Sequence, residues 1–158
     1  MSLQEVAHRM NAAVGYIELE LYEEAEKELD QLPDMHRDRT EVLGIRLEIY
    51  QAMRRWEEMR KMAQEIVGRR PEMADGWVAL AFATRRAKSI PAAREILLEA
   101  ARRFPEEAVI AFNLGCYACQ SGDLESAEVY VRQAIEQNAD FREMARTDED
   151  LRALQDKF

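Results

Sequence analysis

Cysteine is almost missing from this chain: Cys116 and Cys119 are the only two among 158 residues. Two thiols cannot build a disulfide framework, so packing must hold the fold, and a reducing compartment is the simpler expectation. Glycine and proline are scarce too, at 6 and 4 residues, which leaves little room for loops or linkers. Long apolar runs are absent: none approaches the roughly 20 residues that span a bilayer. The opening residues, Met1 to Met10, lack the apolar stretch of a signal peptide. The cytoplasm is therefore the expected location. Excess positive charge is also lacking, and a net charge of -9 argues against nucleic acid or an anionic membrane as a bulk partner.

What is present favours helix. Apolar residues make up 47% of the chain and charged residues 34%, enough for one solvated domain with a real core. Ala, Leu, Glu, Arg and Met dominate, all good helix formers, so the expected class is all-α. Charge is unevenly spread: residues 1–41 carry -7, residues 42–105 carry +5, and residues 106–158 carry -7.

The strongest signal is an internal repeat of 34 residues. Residues 74–107 and 108–141 are one unit written twice. Ala93, Leu97, Ala100 and Pro105 in the first copy become Ala127, Val131, Ala134 and Ala139 in the second. Trp77, Leu80 and Ala81 become Ala111, Leu114 and Gly115. Stepping back from Ala93 reaches Met59 and then Ala25, so four units follow: about 6–39, 40–73, 74–107 and 108–141. A fixed period of this length marks a solenoid, in which each unit buries its apolar face against its neighbours. Residues 142–158 are then expected to cap the last stacking face, with Phe141, Met144, Leu151, Leu154 and Phe158 at helical spacing. Thr147 followed by Asp150 reads as a capping box for the final helix. The whole chain, 1–158, reads as one domain of roughly nine helices.

These residues resemble the tetratricopeptide repeat. That pattern places Trp, Leu-Gly and Tyr on a first helix, then Ala, a large apolar residue, Ala and Pro on a second. Unit 3 supplies Trp77, Leu80-Ala81, Ala93, Leu97, Ala100 and Pro105, and unit 4 supplies Leu114-Gly115, Ala127, Val131 and Ala134. Units 1 and 2 match more loosely, through Tyr16, Ala25, Leu29, Leu43, Tyr50, Ile66 and Pro71. The resemblance implies an α-solenoid wound as a right-handed superhelix of four helix hairpins with a C-terminal cap. Small residues facing one another, Ala13 and Ala25, Ala81 and Ala93, Gly115 and Ala127, should let each hairpin close tightly. Unit 2 departs, with Leu47 opposite Met59, so its two helices are expected to splay.

The resemblance also implies function. In this family the first helices line a concave groove that takes peptides or extended segments. Carried over unit by unit, the groove receives Met10, Val14 and Ile17, then the polar Glu41, Gly44, Glu48 and Gln51. It continues with Asp75, Val78, Phe82 and Arg85, and with Val109, Phe112, Asn113, Cys116 and Cys119. Apolar side chains on a face that the fold does not need to bury suggest a partner; the other reading is that they are covered internally. The family's carboxylate clamp for chaperone C-termini is not matched, because Met10, Val14, Asp75 and Ala79 stand where its cations would be.

Other features read as structural. The pairs Arg54-Arg55, Arg69-Arg70, Arg85-Arg86 and Arg102-Arg103 lie near helix C-termini, where cations offset the helix dipole. Alternating helix direction splits them between two edges, which suits an acidic protein partner on one edge better than a nucleic acid. The C-x-x-C at Cys116 and Cys119 sits inside a helix with no preceding strand, unlike redox motifs, and His8 and His36 are the only histidines available for a metal site. No phosphate loop or nucleophile–base motif is present, so no enzyme activity, cofactor or metal is expected. The expected function is a protein–protein interaction scaffold binding an apolar peptide or helix, as a monomer or weak homodimer. The alternative is self-assembly through the charged segments; an enzyme is a distant third reading.

Overall fold

The computed structural model describes residues 1–158 as antiparallel helix pairs with no strand. The first pair is α1 (Leu3–Glu18) with α2 (Tyr22–Asp30), followed by a single turn, α3 (Asp34–Arg37). The next three pairs are α4 (Thr40–Ala52) with α5 (Trp56–Arg69), α6 (Ala74–Ala87) with α7 (Ile90–Arg103), and α8 (Ala108–Gln120) with α9 (Leu124–Gln137). The chain ends in α10 (Phe141–Thr147) and a 3-10 helix, Glu149–Lys157.

Local sequence explains the boundaries. Ser2 and Glu5 form a reciprocal capping box at α1, with Ser2 N–H donating to Glu5 at 2.6 Å and Glu5 N–H to Ser2 Oγ at 3.2 Å. Ser89 caps α7 by accepting from Ala92 N–H, and Pro91 occupies the first turn, where no N–H is needed. Asp123 caps α9 in the same way through Ser126 N–H. Pro33 ends the first unit early and its carbonyl opens α3, which is why this chain has one helix more than its repeat count suggests. The hairpin turns carry the repeat in their backbone: Glu20, Arg54 and Gly122 occupy the same repeat position and all have left-handed φ, at 59°, 55° and 84°. Lys88, the fourth member of the series, has φ -131° and leads into the Ser89 cap instead.

The small residues stand at the hairpin seams. Ala13, Ala25, Ala81, Ala93 and Ala127 are all fully buried. At Gly115 the approach is closest: a Cβ there would stand 2.6 Å from Val131 Cγ2 and 3.2 Å from the Ala127 carbonyl oxygen. Of the four hairpins, α4 and α5 pack most sparsely, as Leu47 opposite Met59 leads one to expect. The core has two lobes. One runs through α1, α2, α4 and the start of α5, around Val6, Leu29, Leu32, Val42 and Ile49. The other runs from α6 to the C-terminus, around Leu97, Ile110, Leu114, Tyr117, Val131 and Leu151. Ala63, Val67 and Leu80 join them across α5 and α6.

The C-terminal segment differs in detail from expectation. Thr147 does not cap the last helix; its hydroxyl donates to the Glu143 carbonyl at 3.0 Å and stays within α10. Asp148 takes the capping role one residue later, in extended conformation, accepting from Asp150 N–H at 2.8 Å. The chain thus breaks after α10 and folds back. Leu151 and Leu154 enter the same core as α8, and Arg146 donates to the Phe158 carbonyl at 2.7 Å, which fastens the end.

Candidate partner-binding groove

The structure treats the four sections of the expected groove differently. On α1, Val14 is 40% exposed, while Met10 and Ile17 are half-buried against the first core lobe. On α4, Glu41, Gly44 and Glu48 are exposed and polar. A depression of about 370 Å³ opens between this stretch and α6, bounded by Gly44, Leu47, Ile66 and Asp75. On α6, Val78 and Phe82 are half-buried. Phe82 meets Trp56 edge to face with ring centroids 5.9 Å apart, a favoured aromatic geometry.

The fourth section is closed by the protein itself. Phe112 is only 3% exposed and stacks on Phe141 of α10, with centroids 4.9 Å apart. Cys116 is also 3% exposed. The expectation that these two residues lie exposed in an open groove is therefore corrected: the Phe112 ring and the small Cys116 side chain are more stable under the returning C-terminus than in water. Val109 is half-buried against the same lobe, and Asn113 turns its amide back to the Val109 carbonyl at 2.9 Å. Arg85 is engaged as well. Its guanidinium donates to both carboxylate oxygens of Asp150, the Nη2–Oδ1 contact being 2.9 Å, and lies 5.3 Å from the Tyr117 ring centroid. Gln120 completes the latch by donating to the Asp150 carbonyl at 2.9 Å.

Three of the expected residues, Phe82, Arg85 and Asn113, thus share one open depression of about 380 Å³, with the buried Cys116 at its floor and Asp148 to Asp150 as its other wall. Sequence reasoning missed that wall, and it missed Arg86 and Trp56. Arg86 lies over both aromatic rings, 3.9 Å from the Phe82 centroid and 5.1 Å from that of Trp56. Its signal was in the sequence, one residue beyond Arg85, but the arginine pairs were read as helix-end charges and as an edge for an acidic partner, not as cations over aromatic rings.

The electrostatics of the site are set first by burial. Burial first, then Asp148 and Asp150, push the Cys116 thiol well above the usual range, so it stays protonated at neutral pH. Three ligand atoms, from Cys116, Asp148 and Asp150, lie within 4.8 Å of one another. Asp150 is already neutralised by Arg85, and a protonated thiol is a poor metal ligand, so the donor set does not fit a cation well. Burial raises Tyr117 to about 12, which keeps it neutral too.

An array of antiparallel helix pairs stacked in one direction, with two core lobes in series, is an α-solenoid. Solved structures place it further. A thermophilic tetratricopeptide-repeat protein of Thermus thermophilus matches with a TM-score of 0.71 at 16% identity, over 96% of this chain and 97% of that one. MamA matches with a TM-score of 0.71 at 15% identity, over 92% of this chain and 88% of its own. A MamA RS-1 double mutant gives 0.70 at 14%, over 89% and 76%. No protein-family model and no curated protein matches the chain. The chain has the tetratricopeptide-repeat fold, and no helix in it is long and apolar enough to cross a membrane.

Proposed function

We propose that this chain, read as one domain of four repeat units, is a non-catalytic scaffold that takes an apolar peptide or helix along its concave side. The carrying observation is the unequal treatment of the groove. The protein covers Phe112 and Cys116 with its own C-terminus yet leaves Val14 exposed and Met10, Ile17, Val78 and Phe82 half-buried. Apolar groups left on a concave face beside a closed section are what a partner's side chains would complete. Scaffolding also fits the fold, whose concave surfaces are built for extended ligands. Neither a nucleic acid nor a membrane suits a chain of net charge -9.

Selection of helical peptides from a displayed library on the immobilised protein tests this reading. Binders should be rich in Leu, Ile and Phe at helical spacing, and Val78→Asp should abolish their capture while leaving the circular dichroism spectrum unchanged. Capture that survives Val78→Asp refutes the groove.

The charge distribution favours a second reading, self-assembly of acidic ends on the basic middle of neighbouring copies. Light scattering at low and high salt separates the two, since charge docking weakens as the screening length shrinks from about 10 Å at 0.1 M to about 3 Å at 1 M.

A further inference from the structure

Arg54, Arg86 and Lys88 are cations without an ion-pair partner around Trp56 and Phe82. Most other arginines in the middle of the chain are neutralised locally: Arg55 lies between Glu26 and Glu58, Arg60 on Glu57, and Arg103 on Glu99, although Lys61 and Arg94 are unpaired as well. Arg54, Arg86 and Lys88 have no carboxylate within ion-pair distance. They also fall close together. Arg86 is depressed first by burial and then by the like charge of Arg85, with Asp150 pulling the other way and Arg54 adding a smaller lowering, and Lys88 acts on Glu57 beside Trp56. Glu57 and Glu58 are already held by Arg60 and Arg55, and the acids that share the depression with Arg86, Asp148 to Asp150, form no ion pair with it, Asp150 being held by Arg85.

Arg86 is the telling residue. Its guanidinium carbon lies 3.9 Å from the Phe82 centroid and 5.1 Å from that of Trp56, so aromatic carbon borders it while the residue stays exposed. A cation drawn onto apolar surface without a counter-ion has lost hydration and awaits an anion. Fixed in this way, it loses little freedom on accepting a carboxylate in bidentate fashion. One residue away, the chain shows the geometry such a ligand would take: Arg85 grips Asp150, and the following Leu151 enters the core. We infer that the rim formed by Arg54, Trp56, Phe82 and Arg86 docks an acidic protein segment, its carboxylates on Arg86 and Arg54 and an adjacent apolar side chain on Phe82. The inference deepens the groove reading, and rests on it only in placing the partner on this side of the molecule.

A fluorescein-labelled peptide of two Asp-Glu-Asp-Leu repeats, the order found at Asp148 to Leu151, is the probe. Anisotropy titration should show binding that weakens with added salt and that is lost in the Asn-Gln-Asn-Leu counterpart. Arg86→Glu and Arg54→Glu should each weaken it about tenfold or more, and Arg103→Glu, which sits on a paired site, should not. Arg54→Glu is a safe variant for folding, because Glu20 already holds the same left-handed turn position in unit 1. Equal affinity for the two peptides, or no change in either rim variant, overturns the inference. Tighter binding of a fluorescein-labelled octathymidylate overturns it in favour of a nucleic acid. A sedimentation shift from dimer to monomer in Arg54→Glu overturns it in favour of a second copy. Val78→Asp keeps the two readings apart, since it should spare acidic-peptide binding while abolishing capture of library-selected apolar peptides.

Discussion

Gly115 shows how much one methyl group can matter in this array. Its Cα faces Val131 so closely that an added Cβ would lie 2.6 Å from Cγ2, inside any tolerable contact, with the Ala127 carbonyl of the same helix 3.2 Å away. The obstruction on the Ala127 side is backbone, so α8 and α9 must part to make room. Gly115→Ala should therefore destabilise the protein by about 1–3 kcal/mol in spite of alanine's better helix propensity. Scanning calorimetry would show a melting temperature lower by roughly 2–4 °C for each kcal/mol; an unchanged value would mean the hairpin is looser than described. This residue was legible in advance, because the repeat aligns it with Ala13 and Ala81, both fully buried. Arg86 was not, because a charge at a helix end has an ordinary explanation and only three-dimensional placement shows two aromatic rings beneath it.

The elements were largely legible, and the exceptions have physical causes. The periodicity of the second helices fixes their buried stripe, and Ala93, Leu97 and Ala100, like Ala127, Val131 and Ala134, line it without exposure. The short α3 and the return of the C-terminus were harder to read. Both depend on where a chain breaks rather than on which residues it contains: Pro33 in one case, and an extended Asp148 in the other. Half of the expected groove on α8 disappeared for that reason, since spacing cannot say whether Phe112 meets water or Phe141. Thiol reactivity reports on the closed section. Burial raises Cys116 and Cys119 alike, so Ellman's reagent at pH 8 should leave both unmodified for many minutes in the native protein and titrate both in denaturant. Leu151→Asp should unseat the 3-10 helix and make Cys116 label rapidly while helicity is retained. Rapid labelling of the unaltered protein would show that the segment is not docked.

At the scale of the molecule, surface charge is arranged as short-range pairs along and between helices. Glu57, Glu58, Glu99 and Glu128 are lowered by hydrogen bonds from Arg60, Arg55, Arg102 and Arg132, and Asp123 by its bond with Ser126. A carboxyl group whose folded pKa lies below its unfolded value lends stability above the unfolded value and loses it as pH falls through the folded one. Each exposed pair contributes little. Their common direction nonetheless predicts a melting temperature flat from pH 8 to about 5 and declining below about pH 4.5, where unfolded carboxylates begin to protonate. A decline already between pH 7 and 6 would point to a histidine instead and contradict this account. The returning C-terminus also gives the stack a direction. A helix pair stacked directly on α9 would have to displace Phe141, Leu151 and Leu154 and break the latch from Asp150 to Arg85. The face of α9 is thus already taken, like a zip with its stop fitted.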